Sequence, residues 1–400
     1  MTRASLIIHL SVLHVLRFVL NIIPKQNNLI LFSSWFGKKY ADSSKYIYEY
    51  LLTNSSYKVK WYTLDKSIYK ELKSKGLPVV FGNSLKGVYY QLRAKMLVSS
   101  IQLSDYNQFF LHKCIFLDLD HGFSLKQVGF AIPGTDREII TYLMQIRRGI
   151  DYWMSAPTKW CMEKIQECYH VDPDHIVKCN KPRTDVLFDK ALREGKNELV
   201  ETIKKGRKAI VWMPTHRSCG DVAMPVSKLL DLKRIQSICE EKNIVFIIKK
   251  HFYHKNEIEY LDNYPNIYDL TNEDLDSQVI LSQADALISD YSSSYIEYLI
   301  LDRPIILYAY DKEEYLKDER DLYIKLEENT SGEVVITKEA LSNSIERISN
   351  DWYDSPFAEG RNRAIELYFD RTIQGGNYRA YVKNVIDELM SGNYHPNWAS

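Results

Sequence analysis

Five short clusters hold the side chains that could do chemistry, and the first four follow apolar runs. Ser289-Asp290-Tyr291-Ser292-Ser293-Ser294 follows ADALI and opens the helical segment SYIEYLI. Ser and Asp favour helix N-caps. The free N–H groups and dipole of a helix start attract phosphate, and Ser292, Ser293 and Ser294 add three hydroxyls without bulk. The same residues also read as a plain serine-rich cap. Glu297, one turn further on, is placed to accept from a ribose hydroxyl or to face solvent. His121-Gly122-Phe123-Ser124-Leu125-Lys126 follows CIFLDLD. Histidine titrates near neutral pH and is the usual general base. Gly122 lets the backbone turn and a substrate approach closely, and Lys126 could offset phosphate charge. Asp118 and Asp120 precede the histidine; one could orient the imidazole, or both could be solvated.

Lys249-Lys250-His251 ends the run NIVFIIKK, where cations would suit a diphosphate or simply form a charged edge. Met213-Pro214-Thr215-His216-Arg217 follows AIVW, and Arg217 could make paired hydrogen bonds to phosphate. Lys181-Pro182-Arg183-Thr184-Asp185 completes the set, or is only a turn.

The elements that must position these residues alternate. NLILF, YKVKWYTL, PVVFG, KMLVSS and KCIFLDLD read as strands, separated by helices such as SKYIYEYLL, SIYKELKSKG and SLKGVYYQLRA. Gly76 is placed to cap the second of these helices. A second series runs from KAIVW through the helix SKLLDLKRIQSICEEKN, then IVFIIKK, IYDLT, ADALIS and RPIILYAYD. This rhythm predicts an α/β protein with two parallel sheets, each covered by helices. Residues 25–190 form the first Rossmann-like domain, and 191–400 the second with closing helices near 340–390. Ligands of such sheets bind beyond the carboxyl ends of the strands. Two facing domains would place these ends across one central cleft.

Composition narrows the function. Hydrophobic residues make up 45% of the chain, enough for real cores and against disorder. The 52 Lys+Arg balance the 52 Asp+Glu, which argues against a nucleic-acid partner because that needs a broad basic field. Cysteines 114, 161, 168, 179, 219 and 239 form no CxxC pair, so no zinc or other metal site is expected. Residues 1–24 read as an amphipathic, membrane-associating helix ended by Pro24. The run is long enough to span a bilayer, but His9, His14 and Arg17 interrupt it. Arg3, Arg17, Lys25, Lys38 and Lys39 would favour an interfacial position on an anionic surface. A buried or oligomer-forming helix, and a true span or signal sequence, are the alternatives.

In its motifs the chain resembles the CDP-glycerol glycerophosphotransferase family, the teichoic-acid primases and polymerases with a GT-B-like fold. The segment ISDYSSSYIEYLILDRPIILYAYDKEEYLKDERDLY carries the most specific match. HGFSLKQVG, WMPTHR, KPRTDVLF and FSSWFGKKYADSSKYIYEYL support it in the same order along the chain. The resemblance implies that His121 deprotonates an acceptor hydroxyl, which attacks the glycerol-bearing phosphorus so that CMP leaves. It implies that His251 neutralises the donor phosphates, that Ser292–Ser294 cradle the diphosphate with Asp290, and that Glu297 holds the ribose. Arg217 and Lys249 are further phosphate contacts, with Gly122, Lys126 and Arg183 on the acceptor or phosphate side. Phe252 replaces a usual proline after His251, which makes His254 a rival, and Asn180 replaces a common glycine.

The implied donor is CDP-glycerol, with CDP-ribitol or another nucleotide-activated donor as the alternative. The implied acceptor is lipid-linked or polymeric, at the cytoplasmic face of a bacterial membrane, for teichoic-acid-like or capsular polymer. No cofactor is required by the sequence; a divalent cation such as Mg2+ could assist the diphosphate. A homo-oligomer is compatible with these features. A non-catalytic scaffold of a membrane polymer assembly is the reading of another class, and the retained His121, Lys126, His251 and serine loop speak against it.

Overall fold

Uninterrupted apolar runs become strands buried on both faces, as parallel sheets require. In a computed structural model, residues 3–122, 125–134, 137–194, 197–215, 225–250, 261–318, 321–328 and 330–398 are described. They fold into two compact units. One comprises Met1–His121, Gly129–Asp185 and Asp370–Ser400; the other comprises Gly122–Val128 and Val186–Phe369.

The first unit holds a seven-stranded sheet among the described residues. Its strands are β1 (Gln26–Phe32), β2 (Lys58–Thr63), β3 (Val79–Phe81), β4 (Ala94–Ser99), β5 (Ile115–Asp118), β6 (Asp151–Ala156) and β7 (Ile176–Lys178). The order is β3-β2-β1-β4-β5-β6-β7, and every pairing is parallel. From β1 the chain builds outward to β3, then returns to β1's other side with β4. This puts a topological switch point between β1 and β4.

The second unit repeats the plan. Its strands are β8 (Lys208–Trp212), β9 (Ile244–Ile248), β10 (Ile267–Asp269), β11 (Ala286–Ser289), β12 (Ile305–Tyr308) and β13 (Glu333–Val335). They form a parallel sheet in the order β10-β9-β8-β11-β12-β13. The switch point here lies between β8 and β11.

Local chemistry sets the helix limits. Asp65, Ser84, Thr158, Asp231, Asp276 and Thr337 each accept a backbone N–H at a helix start. The helix Lys66–Ser74 stops at Lys75, and Gly76 follows at φ +71°, a left-handed turn that glycine takes without strain. One expected helix is in fact two: Val226–Leu229 and Leu232–Lys242, separated where Asp231 caps the second.

The expected domain limits differ from these units in two ways. The chain changes unit between Asp185 and Val186 rather than after residue 190. The final helix Tyr378–Ser391, expected with the second domain, packs in the first unit. Its Val382, Val385, Ile386 and Leu389 share a core with Ile30, Ile47 and Trp61.

The N-terminal helix Arg3–Leu20 also differs from expectation in its polarity. Arg17 points inward. Its guanidinium donates to the carbonyls of Ile146, Arg148 and Gln108 at 2.8, 3.1 and 3.2 Å. Burial lowers its pKa to about 10, so it stays charged at neutral pH. Lys25 likewise turns inward, to the carbonyl of Leu92 at 2.9 Å. These two cations hold the fold rather than a lipid surface. The opposite face is apolar and open: Ile7, Ile8, Val12, Val15, Phe18 and Val19, continued by Ile22, are exposed.

Candidate active site

In the first unit the site is built at the end of β5. Asp118, its last residue, is fully buried and accepts from the Tyr152 hydroxyl at 3.0 Å and from the backbone N–H of Asp120 at 2.9 Å. That second bond helps fix Asp120 at φ +55°, a left-handed conformation that aspartate tolerates better than most residues. The turn brings the Asp120 carboxylate back onto the next residue. Its Oδ1 accepts the His121 backbone N–H at 2.7 Å and lies 3.0 Å from Nδ1 of the same residue. With Nδ1–H directed to the carboxylate, Nε2 is the basic nitrogen.

Electrostatics reinforce this division. Burial, then repulsion from Asp120, raises the pKa of Asp118. Burial also opposes charge on Asp120, but His121 and Lys181 outweigh it and hold that carboxyl well below the ordinary range. The aspartate that touches the imidazole is therefore the more acidic of the two. Desolvation opposes the charged imidazole, yet the side chain keeps 49% exposure. The Asp120 carboxylate, aided by Asp42, lifts its pKa above the usual histidine value, while Arg183 works the other way.

The Lys181–Asp185 segment supports this site and is more than a turn. The buried Lys181 ammonium donates to the Leu119 carbonyl at 2.6 Å and to Ser155 Oγ at 3.0 Å, clamping the loop that carries His121. Arg183 pairs with Asp42 at 3.0 Å. Asp185 accepts from the Tyr378 and Arg379 backbone N–H groups, both at 2.9 Å, and so anchors the final helix. Asn180 does not take a positive φ; its side-chain amide exchanges two hydrogen bonds with the backbone of Asp370.

In the second unit the site is built at the β8–β11 switch point. Asp290 is buried at the end of β11 and accepts the Thr215 backbone N–H at 2.9 Å and the Thr215 hydroxyl at 2.5 Å. Ser289 Oγ donates to the Met213 carbonyl at 3.0 Å. The serine loop and the Met213-Pro214-Thr215 segment are therefore one knot, although 75 residues separate Thr215 from Asp290. The helix Ser293–Leu299 starts behind Ser292, whose Oγ accepts the Ser294 N–H at 3.2 Å. Ser292, Ser293 and Ser294 are partly exposed, in contrast to the buried residues that follow them.

Lys126 belongs to this second group. Its segment bridges to Leu322, with the Gln127 and Tyr323 N–H groups donating to the Asp321 and Leu125 carbonyls at 2.9 Å each. The Lys126 ammonium lies 5.4 Å from the ring centre of Tyr315. That ring stacks on Tyr291 at 3.7 Å, inside the serine motif itself. Gly122 is buried where the chain passes into the second unit.

Two expected ligands are engaged in the fold. The buried Lys249 donates to the Leu270 and Glu273 carbonyls at 2.9 and 2.7 Å, which fixes the loop after β10. Glu297 is buried and accepts from the Gln278 amide, so a ribose would have to share its carboxylate. His251, His254 and Arg217 lie outside the described residues. Among the described residues no three His, Cys, Asp or Glu side chains converge as a metal site. Sequence reasoning gave no role to Asp42, Tyr152 and Thr215; Asp42 and Thr215 lie in segments that the resemblance marks, and Tyr152 does not.

Residues 15–386 match the family model described as CDP-Glycerol:Poly(glycerophosphate) glycerophosphotransferase. A teichoic acid glycerol-phosphate transferase of Staphylococcus aureus (strain NCTC 8325 / PS 47) is 26% identical over 341 residues, covering 80% of this chain and 84% of that protein. A teichoic acid poly(glycerol phosphate) polymerase of Staphylococcus epidermidis (strain ATCC 35984 / DSM 28319 / BCRC 17069 / CCUG 31568 / BM 3577 / RP62A) is 26% identical over 394 residues, 92% of this chain. The match covers 51% of that polymerase, so this chain spans about half its length. Among solved structures, a variant of the wall teichoic acid polymerase TagF superposes with a TM-score of 0.74 at 22% identity, covering 92% of this chain and 90% of that one. A TagF variant soaked with CDPG superposes equally well. At this identity the likeness is one of fold, GT-B-like with two parallel sheets.

Proposed function

Because the chain belongs to the CDP-glycerol:poly(glycerophosphate) glycerophosphotransferase family, we propose that it transfers glycerol phosphate from CDP-glycerol to a hydroxyl of a lipid-linked or polymeric acceptor, in the synthesis of teichoic-acid-like polymer. The observation that carries this reading is the Asp120–His121 pair, a histidine held in the tautomer of a base by a charged carboxylate. His121 Nε2 takes the acceptor's proton. The resulting oxygen forms a bond to the phosphorus that bears glycerol, and the bond from that phosphorus to the CMP oxygen breaks. CMP leaves with the electron pair.

Such in-line transfer needs mainly placement and charge stabilisation. Ser292, Ser293 and Ser294 supply hydroxyls to the diphosphate, and Asp290 holds their loop against Thr215. Lys126, His251 and Arg217 supply positive charge. The test is CMP release from purified protein given CDP-glycerol or CDP-ribitol with a glycerol-phosphate primer. CDP-glycerol is expected to turn over at least about tenfold faster, the discrimination of one or two buried contacts. Faster turnover of CDP-ribitol would replace the donor. No turnover of either, with a partner protein co-purifying, would favour the scaffold.

A lipid-linked acceptor places the enzyme at the cytoplasmic face of the membrane. No helix among the described residues is long and apolar enough to cross a bilayer. The open apolar face of the first helix, with Phe18 at 78% and Ile22 at 82% exposure, supports a peripheral contact with lipid. Since Arg17 lies on the other face, changes on this side leave its hydrogen bonds intact. The double variant Phe18→Glu/Ile22→Glu is expected to lose most co-flotation with liposomes while keeping its melting temperature. Unchanged flotation would remove the membrane from the proposal.

A further inference from the structure

The loop after β1, residues 33–40, plays no part in the chemistry described so far, yet it sits at the switch point of the first unit. β1 leads to β2 on one side and neighbours β4 on the other, so their carboxyl ends diverge and leave room for a ligand. Three consecutive residues in this loop take left-handed conformations: Trp35 at φ 50°, Phe36 at 61° and Gly37 at 69°. Only the last of them is a glycine. Surrounding bonds enforce the shape. The Phe36 N–H donates to buried Asp105 at 2.6 Å, and the Gly37 carbonyl accepts from Thr63 Oγ1 and the Leu64 N–H at 2.8 and 2.7 Å.

This shape carries Trp35 to the base. Its ring centre is 5.6 Å from that of His121, edge-on. The indole Nε1–H donates to Asp42 Oδ2 at 3.1 Å, and Asp42 Oδ1 holds Arg183 at 3.0 Å. Lys39 lies over the indole at 4.8 Å from its centre. A partly exposed aromatic platform is thus set beside the base, with Lys39 on its face and Arg183 fixed through a shared carboxylate. Exposed Lys38 and Phe36 flank it.

We propose that this loop and Arg183 form the subsite for the anionic end of the acceptor, a terminal polyol phosphate whose hydroxyl is presented to His121. The indole supports the carbon chain, and Lys39 and Arg183 take the phosphodiester charge. The assignment rests on the transferase reading above, and it adds what selects the acceptor.

The full-length protein is titrated with a water-soluble oligomer of two or three glycerol-phosphate units, with tryptophan fluorescence as the readout. The oligomer is expected to change the emission saturably. Trp35→Phe should remove that change, and Lys39→Gln should weaken binding about tenfold. In turnover assays Lys39→Gln should raise the acceptor KM about tenfold while CDP-glycerol affinity by calorimetry stays within twofold of the parent. An equally long oligomer of neutral glycerol ethers should not bind. Unaltered acceptor binding and KM in both variants would overturn the assignment, as would binding confined to lipid-bearing acceptors. The fluorescence arm needs no donor, so an error about CDP-glycerol would not disguise the result.

Discussion

His121→Ala is expected to lower kcat by about 10²–10⁴-fold, the usual contribution of a positioned general base, while the affinity for CDP-glycerol stays within about twofold by calorimetry. The geometry makes the variant a clean one. Half of the His121 side chain is exposed, so its removal opens no sealed cavity. Asp120 loses the imidazole but keeps the backbone N–H of residue 121 as a donor at 2.7 Å, and Lys181 remains nearby to balance its charge. The serine loop proposed to cradle the donor phosphates lies on another segment, behind β11, and Lys126, five residues beyond His121, is held against the ring of Tyr315. A base that acts only when the acceptor hydroxyl is attacked should therefore affect kcat and leave donor binding alone. A loss of donor affinity matching the loss of rate would move His121 from proton transfer to phosphate binding.

Much of this arrangement was legible in the sequence, and the exceptions have physical causes. β1 to β5 and β8 to β12 were readable because each is an apolar run bounded by turn or helix signals. β6, β7 and β13 were not. DYWMSA mixes aromatics with Asp, Met and Ser. The motif residues around His121 and Ser292 could be named from their types. Which aspartate serves His121 could not, because that depends on the left-handed turn at Asp120, and Asp118 has the same composition and neighbours. Likewise, nothing local in Thr215 or Asp290 announces their bond. It follows from β8 and β11 being neighbours in a parallel sheet, a pairing made through long crossovers. The inward turn of Arg17 is similar. Its carbonyl partners at 108, 146 and 148 come from distant segments, so a helical wheel alone puts that charge on the wrong side.

The second large effect is expected at the partner of the base. In Asp120→Asn the side chain keeps its size, and asparagine tolerates the same left-handed backbone. The carboxylate charge that raises the His121 pKa is lost. Catalysis needs the neutral imidazole, so kcat/KM should rise with pH through the histidine pKa in the parent enzyme, along an acid limb above the ordinary histidine value. In the variant that limb should move to lower pH. The plateau should nevertheless fall, by about 10²-fold, because the ring loses the acceptor that fixes its tautomer and angle. A lower pKa combined with a lower plateau is what separates this account from simple misfolding, which lowers the plateau without moving the limb. The same linkage gives a sign for stability. A histidine whose folded pKa is raised stabilises the fold below its unfolded pKa, and that contribution fades as pH rises through the folded one. The parent should therefore lose more melting temperature than Asp120→Asn between pH 6 and pH 8. Asp118→Asn provides the contrast. That carboxyl is buried, its pKa is raised, and it touches Tyr152 and the backbone of Asp120 rather than the imidazole. Its limb should shift much less; a larger shift there than in Asp120→Asn would mean that the deeper carboxylate, and not the adjacent one, sets the strength of the base.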